Sequence, residues 1–234
     1  MRLPRKEVGA LADVGQTSKR RVAKPPGERR REILEAALQL FLEKGFEDTT
    51  VQNIATRAGV AIGTVYLYFP SKNEVLLALH DDFHKGLEEV FLEGAGDFFA
   101  ALETGDSVDY RDGIDEIIDS LFAYSLEHKH SCEVIFRHLS QAGLTEEMME
   151  TERHFVEFLT RAFETGMQAG LLHTSDPEMC AYLLDAAMSF TLGRAVAFGE
   201  PPGLDRLVAQ SKELFYKALA PEGALDLPPR SPPA

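Results

Sequence analysis

The side chains best suited to binding chemistry lie close together between Thr50 and Lys72. Hydroxyl, amide and phenol groups occur there at short intervals, and a lysine ends the segment. Such groups donate hydrogen bonds to phosphate oxygens and to the edges of bases. The paired carboxylates, nucleophile turns and glycine-rich phosphate loops typical of enzymes do not accompany them. The segment therefore indicates nucleic-acid binding, and we predict no catalytic residue and no enzyme.

Two short helices and a tight turn are predicted across this segment. Thr50 can cap the first helix, and Gly59 can end it because glycine readily adopts a left-handed conformation. A second helix from about residue 61 to 68 places Val65 and Phe69 inward at a four-residue spacing. Its outer face is small and polar, which suits a recognition helix in the major groove.

The segment resembles the DNA-binding domain of the TetR family of bacterial transcriptional repressors. The resemblance runs from about Arg31 to Leu79 and rests on ILEAALQLFLEKGF, the pair TT, the block GVAIGTVYLYF and the following SK. It implies an all-α fold, with an N-terminal three-helix helix-turn-helix domain and a C-terminal helical domain for ligand binding and dimerisation. The DNA-binding residues that it implies are Thr50, Gln52, Ile62, Gly63, Thr64, Tyr66, Tyr68 and Lys72.

The resemblance also divides these residues by role. The residues that would hold phosphates are Thr50, Tyr66, Tyr68 and Lys72, and those that would face bases are Gln52, Gly63, Thr64 and again Tyr66. Ile62 replaces the polar or basic residue of many members and could touch a thymine methyl group, while Leu67 replaces a second tyrosine. Ser71 can cap the next helix, whose free N–H groups could hold a phosphate together with Lys72. The alternative is that Tyr66 and Tyr68 only pack beneath the motif.

Charge is distributed unevenly along the chain. Residues 1–75 contain 13 of the 24 basic and 9 of the 38 acidic side chains, although the net charge of the whole chain is −14. An acidic protein can still bind DNA when its positive charge gathers at one end. We predict a basic flexible arm over 1–27, which either follows a minor groove or remains a solvated extension. The proline-rich segment 221–234 is predicted to be a flexible tail.

Helical periodicity continues through the rest of the chain. We predict a helix-turn-helix domain over 28–75 and a helical effector-binding and dimerisation domain over 76–220. A long helix after Ser71 is the only continuous element predicted to leave the DNA-binding domain. The other predicted helices cover residues 28–44, 97–103, 110–128, 131–141, 145–169, 177–198 and 204–219.

The composition favours a cytoplasmic protein. No apolar run approaches the roughly 18 residues that cross a bilayer, and the N-terminus lacks the apolar core of a signal peptide. The two cysteines, Cys132 and Cys180, give no disulfide framework, as is typical of a reducing compartment. We therefore predict no membrane partner.

The resemblance implies a small-molecule pocket in the helical body. Phenylalanine and methionine suit an apolar, adaptable cavity, although burial of these residues also fits ordinary helix packing. The candidates are Phe98, Phe99, Phe122, Phe136, Leu139, Met148, Phe155, Phe158 and Met188. We expect a mostly apolar effector, either a long-chain acyl compound or a lipophilic drug.

Apolar stripes at i, i+4, i+7 and i+11 mark the last two predicted helices. They are Met179, Leu183, Ala186 and Phe190 on one helix, and Leu204, Val208, Ser211 and Phe215 on the other. The resemblance implies that residues 177–219 form a four-helix bundle across a homodimer axis, so that two recognition helices meet a near-palindromic operator. The alternative is that the stripes close the core of one chain.

His128, His130 and Cys132 could form a metal site, but alternate residues of a helix point in different directions. We predict no metal and no cofactor. These observations favour a ligand-responsive repressor that binds a palindromic operator of double-stranded DNA as a homodimer and is released by its effector. The other interpretation is a helical ligand-binding or scaffolding protein that binds no operator.

Overall fold

The computed structural model describes residues 25–103, 110–142, 145–198 and 203–219, which fold as helices and their connections. No strand occurs in these ranges, and the predicted all-α fold is confirmed. No helix within them is both long and apolar enough to cross a membrane. The helices are α1 (Pro26–Lys44), α2 (Val51–Arg57), α3 (Ile62–Tyr68), α4 (Lys72–Glu103), α5 (Tyr110–Glu127), α6 (Lys129–Ala142), α7 (Glu146–Gln168), α8 (Pro177–Phe198) and α9 (Leu204–Leu219).

α1, α2 and α3 pack around one apolar core, and the start of α4 completes it; we call this unit the head. Ile33, Ile54 and Val65 are fully buried there, one from each of the first three helices. α4 adds Val75 and Leu76. α2 and α3 have seven residues each and are too short to be stable alone, so this shared burial holds the head together.

The first helix begins two residues earlier than predicted. α1 starts at Pro26 rather than at residue 28, because proline lacks the N–H that a first helical turn leaves unbonded. The predicted arm over 1–27 therefore loses its last residues to α1. Residues 1–24 of the arm and the tail over 221–234 lie outside the described residues.

The separate helix predicted over 97–103 is wrong, because these residues form the end of α4. Gly94 and Gly96 weaken the helical pattern in the sequence. Packing compensates at Gly94, where a Cβ would lie 3.4 Å from Ile117 Cγ1. α4 and α5 are therefore in van der Waals contact at this point.

The remaining helices form the body. α4 packs against α5 and α7, α8 packs against α6 and α7, and α9 packs against α5. α4 is not the only link to the head, because α6 also packs against α1. Val134 of α6 and Met148 of α7 are buried in the core of the head. Two helices of the body are thus in direct contact with the DNA-binding unit.

Candidate DNA interface and ligand cavity

The turn between α2 and α3 is set by a cap and a glycine. Thr50 Oγ1 accepts a hydrogen bond from the Asn53 N–H at 3.2 Å, and Asn53 Oδ1 accepts one from the Thr50 N–H at 3.2 Å. Gly59 has a φ of +66°, in the left-handed region that glycine adopts at lower cost than other residues. The predicted cap and the predicted helix stop are both confirmed.

The outer face of α3 is open to solvent, while Val65 fixes its inner face in the core. Ile62 and Tyr66 are 38% and 50% exposed. Gly63 is exposed as well, and a Cβ at this position would meet nothing within 4 Å. Internal packing therefore does not require a glycine there. Thr50 and Gln52 are exposed at the start of α2.

Two residues of α3 that are predicted to contact DNA are less exposed than Ile62 and Tyr66. Thr64 and Tyr68 are half-buried, and Tyr68 packs against the core of the head near Phe69. Packing beneath the motif therefore describes Tyr68 better than Tyr66. Leu67 did not enter the predicted site, yet it is 84% exposed. Its replacement of a family tyrosine is the sequence feature that could have pointed to it.

Lys72 is engaged within the head. Its Nζ donates hydrogen bonds to the carbonyl oxygens of Phe46 and Glu47, at 2.6 and 3.1 Å, and lies 4.2 Å from the centroid of the Phe46 ring. The side chain ties the loop before α2 to the start of α4. Ser71 Oγ accepts a hydrogen bond from the Glu74 N–H, as predicted for a cap. A phosphate contact by Lys72 stays a prediction.

A cavity of about 770 Å³ lies in the body, bordered by α4 to α9. This volume falls within the range of about 300–1,000 Å³ that small-molecule sites occupy. Exposed residues such as Met149, Tyr182 and Phe190 lie at its open side. Its apolar wall includes Leu87, Phe91, Leu121, Leu159, Phe163 and Leu184.

The structure brings only part of the predicted ligand set to this cavity. The lining residues among them are Phe136, Leu139, Phe155 and Met188. Phe136 packs closely on α8, because a Cβ at Gly193 would lie 2.2 Å from its Cδ2 atom. A side chain at Gly193 would therefore displace one wall of the cavity.

Three other predicted ligand residues do not line the cavity. Met148 is 1% exposed in the core of the head, and Phe122 is buried in a cluster with Ile118. Phe158 packs edge-on against Phe91, with ring centroids 5.3 Å apart. All three bury apolar surface between helices, and the sequence does not distinguish that burial from pocket lining. The side chains of Phe98 and Phe99 lie outside the described residues.

His84, Glu152 and Asp185 form a polar end to the cavity. Burial raises the pKa of Glu152, but hydrogen bonds with His80 and His84 outweigh it and lower that pKa to about 2. Burial lowers the pKa of His84, but the hydrogen bond and the charge of Glu152 outweigh burial, and the pKa is raised. Burial, aided by the charge of Glu152, raises the pKa of Asp185 to about 6.

His80 and His84 lie one helical turn apart on α4 and face Glu152 on α7. Their Nε2 atoms are 3.0 and 3.4 Å from Glu152 Oε1. Within the described part of the chain, this is the one group of three such side chains whose ligand atoms lie within 4.8 Å of one another. The run around Cys132 forms no such group, and burial raises the pKa of this thiol to about 11. Sequence reasoning missed the trio, although the i, i+4 histidine pair on α4 is visible in the sequence.

α8 keeps an apolar face in solvent, as the predicted dimer stripe requires. Three large members of this face are Met179, Leu183 and Phe190, which are 51%, 58% and 57% exposed. Tyr182 extends the face and is 57% exposed. Apolar faces of this kind in one chain usually mark a protein contact.

The stripe predicted on α9 lies differently. Val208 and Phe215 are half-buried and pack in the core of the same chain. Lys212 holds this orientation, with Nζ 2.6 Å from Asp119 Oδ1 on α5. This part of α9 packs in the core of its own chain. That is the alternative interpretation given for this stripe in the sequence analysis. Of the large apolar side chains described on α9, Leu214 is exposed, at 52%.

An exposed short helix after a tight turn is the arrangement of a helix-turn-helix domain, which is joined here to a helical body with a cavity. Residues 33–79 match the family described as "Bacterial regulatory proteins, tetR family". A TetR-family regulator from Syntrophomonas wolfei shares the fold, with a TM-score of 0.69, 23% identity and coverage of 87% of this chain and 98% of that one. Residues 33–79 thus match the DNA-binding domain of the TetR family, and the relatives and the fold support a TetR-family transcriptional regulator.

Two curated relatives are similar over part of their length. The transcriptional repressor KstR2 of Mycobacterium tuberculosis is 33% identical over 130 residues, which are 52% of this chain and 56% of the relative. The fatty acid metabolism regulator protein of Bacillus subtilis is 36% identical over 72 residues, which are 31% of each chain. Both alignments thus cover less than two thirds of the relative.

Proposed function

We propose that this protein is a ligand-responsive repressor that binds a near-palindromic operator as a homodimer and is released when a mostly apolar effector enters the body. The position of α6 carries the proposal. This helix packs against α1 of the head and contributes Phe136 and Leu139 to the cavity wall. A molecule in the cavity can therefore act on the DNA-binding unit through direct contacts.

The operator contacts follow from the exposure of α3. Gly63 has no packing role, so its lack of a side chain serves the close approach of the helix to base edges. Ile62 is exposed beside it and suits the methyl group of a thymine. Tyr66 is exposed enough for its hydroxyl group to donate a hydrogen bond to a phosphate. The hydroxyl group of Thr50 can do the same from the start of α2.

The homodimer would form through α8. A two-fold axis brings the same face of both chains together, so each apolar side chain of the face becomes buried once in each chain. Leu183 and Phe190 are each more than half exposed, and burial of that exposed part contributes about 1 kcal/mol per side chain. α9 adds Leu214 at most among its described large apolar residues, so α8 dominates this interface.

The cavity wall selects a mostly apolar effector. Its polar end carries the carboxyl groups of Glu152 and Asp185 beside His84, and Arg153 also lines the cavity. A lipophilic amine would pair with these carboxyl groups, and an acyl compound would place a hydrogen-bonding group there. The similarity to a fatty acid metabolism regulator supports the inclusion of acyl compounds among the candidates.

Coupling would run from the cavity through α6 to the loop before α2. Leu139 lines the cavity, and its neighbour His138 contacts the Phe46 ring edge-on at a centroid distance of 4.7 Å. Lys72 holds the carbonyl oxygen of Phe46 at 2.6 Å. An effector that shifts α6 would therefore move the loop that leads into α2, and with it the orientation of the head.

The test begins with selection of binding sites from random duplex DNA at two salt concentrations. A near-palindrome with salt-sensitive affinity supports a dimeric operator binder, whereas recovery of no specific site supports a helical ligand-binding protein without an operator. The selected duplex is then challenged with fatty acids, acyl thioesters, lipophilic amines and small hydrophilic metabolites. Release by hydrophilic metabolites alone would contradict the apolar effector.

A matched pair of variants separates cavity binding from other effects. Ala162 lines the cavity, whereas Ala123 is exposed on α5. Ala162→Phe should abolish release by the effector and preserve operator binding, because the new ring occupies cavity volume. Ala123→Phe adds the same ring outside the cavity and should behave like the wild type.

A further inference from the structure

We propose that His80, His84 and Glu152 form a binding site for one divalent transition-metal ion of the zinc class, with an open coordination position toward the cavity. This site is independent of operator binding and goes beyond the function proposed above. Two observations support it besides the proximity of the three side chains. One is the hydrogen bond made by the outer ring nitrogen of His84, and the other is a buried ring nitrogen of His80 without a hydrogen-bond partner.

The distances from Glu152 to the two histidines match those of a tetrahedral site, and all three ligand atoms lie within 4.8 Å of one another. Bonds of about 2.0–2.1 Å at tetrahedral angles place neighbouring ligand atoms about 3.3 Å apart. The Nε2 atoms of His80 and His84 lie 3.0 and 3.4 Å from Glu152 Oε1. Only small side-chain adjustments would therefore be needed to accept an ion between them.

His84 already makes the outer hydrogen bond of a metal ligand. Its Nδ1 lies 3.0 Å from the carbonyl oxygen of His80, which can only accept a hydrogen bond, so Nδ1 carries a proton. Nε2 is the nitrogen that faces Glu152, at 3.4 Å from Oε1. A metal ion bound there would take the place of the proton that His84 now shares with this carboxylate. Ligating histidines commonly donate the other ring nitrogen to a backbone carbonyl in this way.

His80 supplies the second observation. This residue is fully buried, and its Nδ1 has no hydrogen-bond partner while Nε2 faces Glu152. If Nε2 binds a metal, the proton resides on Nδ1, which lies 3.9 Å from Asp81 Oδ1. Asp81 is itself oriented by a hydrogen bond from Thr151 Oγ1 at 2.6 Å. Metal binding would thus place a proton on this buried nitrogen, near the carboxylate of Asp81.

The donor set indicates the class of ion. Two imidazole nitrogens and one carboxylate oxygen suit zinc, nickel or copper, whereas calcium and magnesium prefer oxygen ligands alone. Three protein ligands leave a fourth position open. Because His84 and Glu152 line the cavity, this position faces the space that the effector would enter. Water or an oxygen atom of a cavity ligand could fill it.

The experiment uses full-length, tag-free protein freed of metal by a chelator and then titrated with Zn²⁺ and Co²⁺. We expect one equivalent bound per chain, together with the intense visible absorption of four-coordinate Co²⁺. His84→Gln and Glu152→Gln should each weaken binding by at least about 100-fold, as loss of a ligand exceeds the loss of an outer-shell partner. His154→Gln is the matched control, since His154 is exposed on α7 two residues after Glu152.

Two results would overturn the proposal. One is the absence of stoichiometric binding to the wild type, and the other is equal affinity of the wild type and Glu152→Gln for both ions. Circular dichroism establishes that each variant is folded. If His84→Gln fails to fold, the Co²⁺ spectrum of Glu152→Gln decides the question, because an unchanged spectrum places the ion elsewhere. Operator binding is assayed separately, so failure of either proposal leaves the other to be judged on its own result.

Discussion

The polar end of the cavity should make the protein less stable as the pH rises from about 4 to 6. Asp185 has its pKa raised from 3.8 to about 6 by burial and by the charge of Glu152. Below about pH 4 this carboxyl is protonated in both the folded and the unfolded chain and contributes nothing. Between the two pKa values the folded chain binds the proton more tightly, so the free energy of unfolding falls as the pH rises.

The size of this effect follows from the two pKa values. A carboxyl pKa of about 6 rather than 3.8 corresponds to about 3 kcal/mol between the protonation states. Asp185 is half-buried and accepts a hydrogen bond from Ser189 Oγ at 3.2 Å, so solvent reduces the effect to about 1–2 kcal/mol. Asp185→Asn keeps the shape of the side chain and removes the charge. It should stabilise the protein by that amount at pH 7.5 and by little at pH 4.5.

The assay is urea denaturation of metal-free protein at both pH values, at one protein concentration because the proposed dimer would contribute to stability. The difference between wild type and variant reports the ionisation of Asp185 together with its electrostatic coupling to His84 and Glu152. Asp48→Asn, on an exposed loop, is the control and should show no such pH dependence. An Asp185→Asn variant that is less stable than the wild type at pH 7.5 would refute the reasoning, since the carboxylate would then be favourably paired.

The remaining predictions concern DNA, the dimer, the cavity and the head. Tyr66→Ala should weaken operator binding about 10- to 100-fold in a mobility-shift assay while the fold is retained, because one phosphate contact is lost. Leu183→Glu should raise the dimer dissociation constant at least about 10-fold in sedimentation, because the two-fold axis buries two carboxylates. Ala162→Phe should remove effector-dependent release, whereas Ala123→Phe should not, as measured by displacement of labelled operator. Lys72→Met should lower the free energy of unfolding by about 1–2 kcal/mol, because two backbone carbonyl oxygens lose their charged donor.

The head could be predicted from the sequence because its determinants are local. The capping interaction of Thr50 spans three residues, and the stop at Gly59 depends on that residue alone. Val65 and Phe69 reach the core through a four-residue helical spacing and are 0% and 4% exposed. The tertiary contacts of the head are therefore consistent with the helix ends and the helical spacing that the local sequence specifies.

The ligand cavity could be predicted only in part, because its wall is made of residues from several helices. Phe155 lines the cavity, while Phe158 on the same helix packs against Phe91 on α4. Met148 lies in the first turn of the same helix and is buried in the core of the head. The three residues have similar hydrophobicity and similar helical context, so only the positions of the neighbouring helices decide which of them meets empty space.

The polar trio shows why a functional group can escape sequence reasoning even when half of it is visible. His80 and His84 form an i, i+4 pair, but a helical pair of histidines is common and carries no assignment by itself. Glu152 lies 72 residues from His80 and is one of many acidic residues on the body. Its role depends on the packing of α4 against α7, which places one carboxylate oxygen beside two buried imidazoles. Because α4 also begins in the core of the head, an ion bound at this point would contact a helix that is part of the DNA-binding unit.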